Sequence, residues 1–120
     1  MKKSKILICD DEEGIRESLK LILSDHYDLI VTENGEQALG VLKNAKDIGL
    51  MLIDIKMPKV HGLDILKQIK QTRPDVNVIV VTGYRSVETA AEATRLGASD
   101  YIVKPFKSKD ILESVRQHIP

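Results

Sequence analysis

The stretch Ile6-Leu7-Ile8-Cys9-Asp10-Asp11-Glu12-Glu13-Gly14-Ile15-Arg16-Glu17-Ser18-Leu19 changes character twice. Four apolar residues come first, then four acids, and then Ile15, Leu19, Ile22 and Leu23 recur at i, i+4, i+7 and i+8. An unbroken apolar run fits a strand covered on both faces, as in a parallel sheet; a half-exposed hairpin strand would alternate. The recurrence that follows is the period of an amphipathic helix. One strand and one helix, joined by an acidic turn, are therefore expected here.

The same unit repeats along the chain. Further apolar runs are Leu29-Ile30-Val31, Leu50-Met51-Leu52-Ile53, Val78-Ile79-Val80-Val81 and Tyr101-Ile102-Val103, the second run of the chain being the weaker one. Helical spacing separates them: Ala38, Leu39 and Leu42; Leu63, Leu66 and Ile69; Val87, Ala90, Ala91 and Leu96; then Ile111, Val115 and Ile119 with Leu112 beside them. Asn34 with Gln37 three residues on has the pattern of a capping box, and Gly97 after Leu96 suits a helix C-terminus. Alternation of this kind predicts an α/β fold: a three-layer, doubly wound (βα)5 sandwich with a parallel five-stranded sheet and right-handed crossovers. Residues 1–120 are expected to form one domain, with no internal linker and no low-complexity segment.

Composition narrows the function classes. Lys plus Arg and Asp plus Glu each total 18, giving zero formal net charge. That balance argues against bulk electrostatic capture of nucleic acid or an anionic membrane. The single cysteine, Cys9, excludes an intramolecular disulfide and a cysteine-rich zinc site. No apolar run approaches the roughly 18 residues of a membrane span, and Met1-Lys2-Lys3-Ser4 leads into no secretory signal, so a cytoplasmic protein is expected.

In open α/β sheets ligands bind beyond the carboxyl ends of the strands. The first run is followed by Asp10 and Asp11, the third by Asp54, the fourth by Thr82 and Gly83, and the fifth by Lys104 and Pro105. Acids gathered at one edge repel unless a cation sits among them. Carboxylates with a carbonyl and waters suit Mg²⁺, or Mn²⁺ in its place, and no His or Cys stands at a neighbouring strand end to suggest zinc. The plainer alternative is that Asp10 and Asp11 only begin the first helix, where acids favour the dipole. A metal on one side, an ammonium on another and a hydroxyl on a third would together stabilise a transferring phosphoryl group, with Asp54 as its acceptor.

These stretches carry a resemblance. Ile6 to Glu12, Leu52-Ile53-Asp54-Ile55-Lys56-Met57-Pro58 with Gly62 beyond, Val80-Val81-Thr82-Gly83, and Gly97 to Phe106 together resemble the receiver domain of two-component response regulators over essentially the whole chain. The resemblance implies a flavodoxin-like strand order 2-1-3-4-5. It implies that Asp54 accepts phosphate from a sensor histidine kinase. Asp11, Asp54 and the Lys56 backbone carbonyl would bind Mg²⁺ directly, with Asp10 acting mostly through water. Thr82 and Lys104 would hold the phosphoryl oxygens, and Tyr101 would be an aromatic switch responding to Thr82. It further implies a cis Lys104-Pro105 peptide that helps aim the lysine, and a partner surface on the fourth helix, fifth strand and fifth helix, about Ser86 to Pro120. Homodimerisation through that surface is an expectation of the same kind.

Some positions modulate the pattern. Cys9 stands where a small aliphatic residue is usual and is read as a buried hydrophobe. Gly49 stands where an acid often begins the third strand and is expected to loosen its start. Lys56 and Tyr84, two residues after Asp54 and Thr82, would flank the phosphoryl group and set its lifetime through water access. His26, His61 and His118, placed in two loops and the last helix, share no metal-ligand spacing. Ala90, Ala91 and Ala93 suit either a thin mobile helix face or packing on the sheet.

Two other functions occur on this kind of architecture. A magnesium phosphohydrolase using an aspartyl phosphate needs an acid two residues after the nucleophile; Lys56 stands there, so the chain is expected not to be such an enzyme. A nucleotide or flavin module would want a glycine-rich loop where Asp10 to Glu13 stand. Gly83 to Ala90 resembles receivers of nitrogen-regulatory activators, which carry output domains. A stand-alone receiver and a fragment of a longer regulator both remain open.

Overall fold

A computed structural model describes residues 4–56 and 62–120. Five βα units follow one another: β1 (Lys5–Cys9), α1 (Glu13–Leu23), β2 (Asp28–Thr32), α2 (Gly35–Asn44), β3 (Ile48–Ile53), α3 (Gly62–Thr72), β4 (Asn77–Thr82), α4 (Val87–Arg95), β5 (Asp100–Val103) and α5 (Ser108–His118). All strand pairs are parallel and the order is β2-β1-β3-β4-β5, as expected.

Unbroken apolar strands arise because each must supply two cores. Ile6, Ile8, Leu50, Leu52, Ile79 and Val81 face α1 and α5, meeting Leu19, Leu23, Ile111 and Val115. Their neighbours Leu7, Cys9, Met51, Ile53, Val78 and Val80 face α2, α3 and α4, meeting Leu42, Leu66, Ile69 and Ala93. Successive side chains on a strand point to opposite faces, so a central strand has no polar side. Burying each large aliphatic chain contributes roughly 1.5–3 kcal/mol. β2 lies at the sheet edge and stays half-covered, which accounts for its weaker apolar signal.

Helix ends follow local chemistry. The Asn34 side chain accepts from the Gln37 N–H at 2.9 Å, while Gln37 Oε1 accepts from the Glu33 N–H, one residue earlier than in an ideal capping box. At the end of α4, the Gly97 N–H reaches the Thr94 carbonyl and the Ala98 N–H the Ala93 carbonyl, a Schellman pattern. It requires a left-handed residue, and Gly97 has φ +109°.

Three sequence expectations need correction. Val87 and Ala91 do not belong to the buried face of α4; Val87 is 83% exposed and Ala93 is the fully buried residue. Val87 and Ala93 stand about 120° apart around the helix, so one stripe cannot hold both. β3 begins at Ile48, which makes Gly49 its second residue rather than its first. Its register against β1 shifts between Lys5 and Ile6, so Gly49 bulges, and a Cβ there would lie 2.9 Å from the Pro120 ring. Ile119 lies one residue past the end of α5.

Candidate functional site

The order of the strands brings β1 and β3 together at the centre of the sheet, where helices leave in opposite directions. The ladder continues one residue past each strand: the Asp10 N–H donates to the Thr32 carbonyl at 3.2 Å and the Asp54 N–H to the Cys9 carbonyl at 3.1 Å. Asp10 and Asp54 are thereby fixed side by side at the carboxyl edge, each only 2% exposed. Thr82 ends β4 and is fully buried. Lys104 follows β5, its N–H donating to the Thr82 carbonyl at 2.8 Å, and its peptide with Pro105 is cis, as expected.

Lys104 joins the two acids. Its Nζ lies 2.8 Å from Asp10 Oδ2, 2.8 Å from Asp54 Oδ2 and 3.4 Å from Glu12 Oε1. The second oxygens are held by backbone: Asp54 Oδ1 accepts from the Lys56 N–H at 2.7 Å and Asp10 Oδ1 from the Glu12 N–H at 2.9 Å. One Asp10 oxygen thus shapes the turn into α1 while the other is held by Lys104. Burial lifts the Asp10 carboxyl above its ordinary range, and the bonds from Lys104 and the Glu12 N–H only partly oppose this. Burial pulls Lys104 down, but its bonds to Asp10 and Asp54 outweigh it and leave the ammonium more firmly protonated.

Asp10, Asp11, Glu12 and Asp54 each offer a carboxylate oxygen, and these oxygens lie within 4.8 Å of one another. An all-oxygen set of this kind, two members buried and two exposed, fits a hard divalent cation that keeps some of its waters. Glu12 was not singled out from the sequence. The run of four acids was its only signal, and which of them turn back over the sheet depends on the turn that Asp10 Oδ1 makes.

The flanking residues meet as well. The Lys56 ammonium sits 5.4 Å from the centre of the Tyr84 ring, within cation–π range. The Tyr101 hydroxyl donates to the Tyr84 carbonyl at 2.9 Å, tying β5 to the loop after Thr82. Burial, then the Asp54 charge, raises the Tyr101 phenol. Cys9 is buried among apolar neighbours, which pushes its thiol up to about 11. His118 Nδ1 lies 2.7 Å from the Ser114 carbonyl at the far end of α5, and His26 lies in the α1–β2 loop. Met57, Pro58 and His61 lie outside the described residues.

The model of the response regulator receiver domain family matches residues 6–116. The chain is 34% identical to sporulation initiation phosphotransferase F of Bacillus subtilis, covering 100% of this chain and 97% of that protein. It is 35% identical to the response regulator protein FleR of Pseudomonas aeruginosa over 96% of this chain, but spans only 24% of FleR. Among solved structures, a CheY-like response regulator receiver domain protein from Methanospirillum hungatei JF-1 superposes with a TM-score of 0.90 at 33% identity, over 97% of this chain and 93% of that one. No helix among the described residues is long and apolar enough to cross a membrane. A buried acid pair bridged by one lysine at the switch point of a 2-1-3-4-5 sheet, and a family match from the first strand to the last helix, place this chain in the response regulator receiver domain family.

Proposed function

We propose that Asp54 accepts a phosphoryl group from the phosphohistidine of a sensor kinase and that the modified domain signals through α4, β5 and α5. The observation that carries this reading is the Lys104 ammonium shared at 2.8 Å by two buried acids. In the transfer, the bond from the histidine nitrogen to phosphorus breaks and a bond from an Asp54 oxygen to phosphorus forms. The electron pair of the broken bond stays on the imidazole. Lys104 carries its charge to the phosphoryl oxygens, and the Thr82 hydroxyl donates to another of them. Asp11, Asp54 and the Lys56 carbonyl, with Asp10 through water, would hold Mg²⁺ or Mn²⁺. When bound, that ion neutralises the acids and the incoming phosphoryl charge.

Lys56 and Tyr84, which contact each other, would flank the phosphoryl group as one pair, so exchanging either should change how fast water removes the phosphate. Thr82 turning toward the phosphoryl group would draw on the loop whose Tyr84 carbonyl holds Tyr101. The exposed Val87 at the start of α4 gives that surface an apolar element for an output domain, a downstream protein or a second copy. The domain acts as a switch that catalyses its own phosphorylation and dephosphorylation. Lys56, unable to serve as the proton-transferring acid of a phosphohydrolase, supports that choice.

The test is to weigh the intact protein after adding acetyl phosphate and Mg²⁺. A gain of one phosphate that Asp54→Asn abolishes is expected. Fluoroberyllate covers rapid hydrolysis: resonances of Thr82 and Tyr101 should shift, and neither adduct nor shift would refute the reading.

A further inference from the structure

We infer that Arg16 is a positioning residue for the metal site, acting through the main chain of the acidic turn; this rests on the divalent-cation reading above. Arg16 lies one turn into α1, its side chain 15% exposed. Its Nη1 donates to the Asp10 carbonyl at 2.9 Å. That carbonyl lies past the end of β1, so the guanidinium supplies a bond where the ladder has run out. A carbonyl oxygen and the following N–H belong to one rigid peptide plane. Holding the Asp10 oxygen therefore sets the direction in which the chain enters Asp11.

Asp11 depends on that direction. It is exposed, and its carboxylate makes no hydrogen bond among the described residues, unlike those of Asp10 and Asp54. Its aim toward the site is set by backbone alone. The other amino group of Arg16 lies 3.6 Å from Glu33 Oε1. The Glu33 backbone is held, its N–H donating to Gln37 Oε1 beside the Asn34 cap. Arg16 thus braces the acidic turn against the start of α2.

Charge and position predict opposite signs, which makes the role testable. Arg16 is a cation near four acids; if it acted only by charge, its removal would tighten Mg²⁺ binding. A brace predicts weakening, about tenfold by the usual effect of residues that orient ligands. The experiment titrates ¹⁵N-labelled protein with MgCl₂ and follows the amides of Asp11 and Lys56. Arg16→Ala should weaken Mg²⁺ at least threefold, and Arg16→Lys, which keeps one charged donor, should recover half of that loss on a logarithmic scale. In metal-free Arg16→Ala, the Glu12 amide, which donates to Asp10 Oδ1, should exchange at least fivefold faster while those of β1 and β3 stay unchanged.

Tighter binding, a change below threefold, or no recovery in Arg16→Lys overturns the role. A uniform loss of protection would show an ordinary structural contact and overturn it too. Should Arg16→Ala fail to fold, Arg16→Gln is read by the same threefold criterion. Absence of Mg²⁺ binding by the unsubstituted protein defeats the metal reading itself, whereas binding of undiminished strength in Arg16→Ala defeats only the brace.

Discussion

Removing Lys104 tests the electrostatics of the site directly. Its ammonium, only 11% exposed, is shared by two carboxylates that are each 2% exposed. Lys104→Met keeps most of the aliphatic stem and leaves two buried charges facing each other. Each bond to a charged group is worth roughly 1.5–3 kcal/mol, and breaking a buried pair from one side typically costs about 3–5 kcal/mol. The two bonds summed reach the upper end of that range, while water admitted to the edge lowers it. A loss of about 3–5 kcal/mol is expected at pH 8 in chelator, read by urea denaturation.

The pH dependence has a definite sign. Asp10 already sits above its ordinary value with Lys104 present, and loses its principal counter-charge in the variant. An acid raised in the folded state holds its proton more tightly there than when unfolded. Stability is then lost as pH rises through the interval above the unfolded carboxyl value and recovered as pH falls. The gap between wild type and Lys104→Met should narrow from pH 8 to pH 5. On the proposed metal reading, Mg²⁺ at 100 times its Kd should return about 2.7 kcal/mol, since it would bind only the folded chain. In the wild type Lys104 is raised, so its own contribution persists below about 10.5 and is lost above it. A variant within 1 kcal/mol of wild type at pH 8 in chelator, or a gap that does not narrow at pH 5, would refute the reasoning.

Arg73→Ala should cost roughly 2–3 kcal/mol, because its guanidinium donates to the carbonyls of Leu42 and Ala45 at 3.0 and 2.8 Å and also reaches those of Lys46 and Ile48; hydrogen exchange should rise at the end of α2. Gly62→Ala should destabilise by more than about 2 kcal/mol, because a Cβ there meets the Ile55 backbone, which cannot yield; Gly49→Ala meets only the Pro120 ring and should cost less by the same melt. Cys9 should resist alkylation at pH 8 until urea unfolds the chain, because its thiol is buried and stays protonated to about 11. Stability should fall between pH 9 and 11, as unfolded Cys9 sheds its proton first, and Cys9→Ala should flatten that decline.

Much of this could be read from the sequence because strands and helices write their burial into short periods. β1, β3 and β4 declared themselves by runs that serve two cores, and Asp10, Asp54, Thr82 and Lys104 by standing just after such runs. The errors arose where a decision is made over a longer distance. Val87 fits an apolar spacing, but the packing of Ala93 on the sheet fixes the rotation of α4. Gly49 reads as a weak start to β3, and only the return of Pro120 from the far end of the chain shows what occupies the space above it. Arg73 carries no local signal at all, because its acceptors are main-chain carbonyls some thirty residues away.

The acid pair sharpens what burial does here. A domain selected for stability alone would not seal Asp10 and Asp54 beneath one lysine, since a buried ion cluster is often no better than an apolar one of equal volume. The same burial lowers the local dielectric, so each charge acts more strongly on whatever enters. Lys104 offsets the acids in the resting site, and on the proposed reading it is the group that a cation and a phosphoryl group would jointly displace and reuse. Replacing one acid should therefore stabilise the resting fold. Asp54→Asn removes the repulsion that Asp10 suffers and should unfold at higher urea than wild type in chelator, while losing the proposed acceptor oxygen. If Asp54→Asn were instead the less stable protein, the ammonium would be contributing more to the fold than two crowded carboxylates cost it.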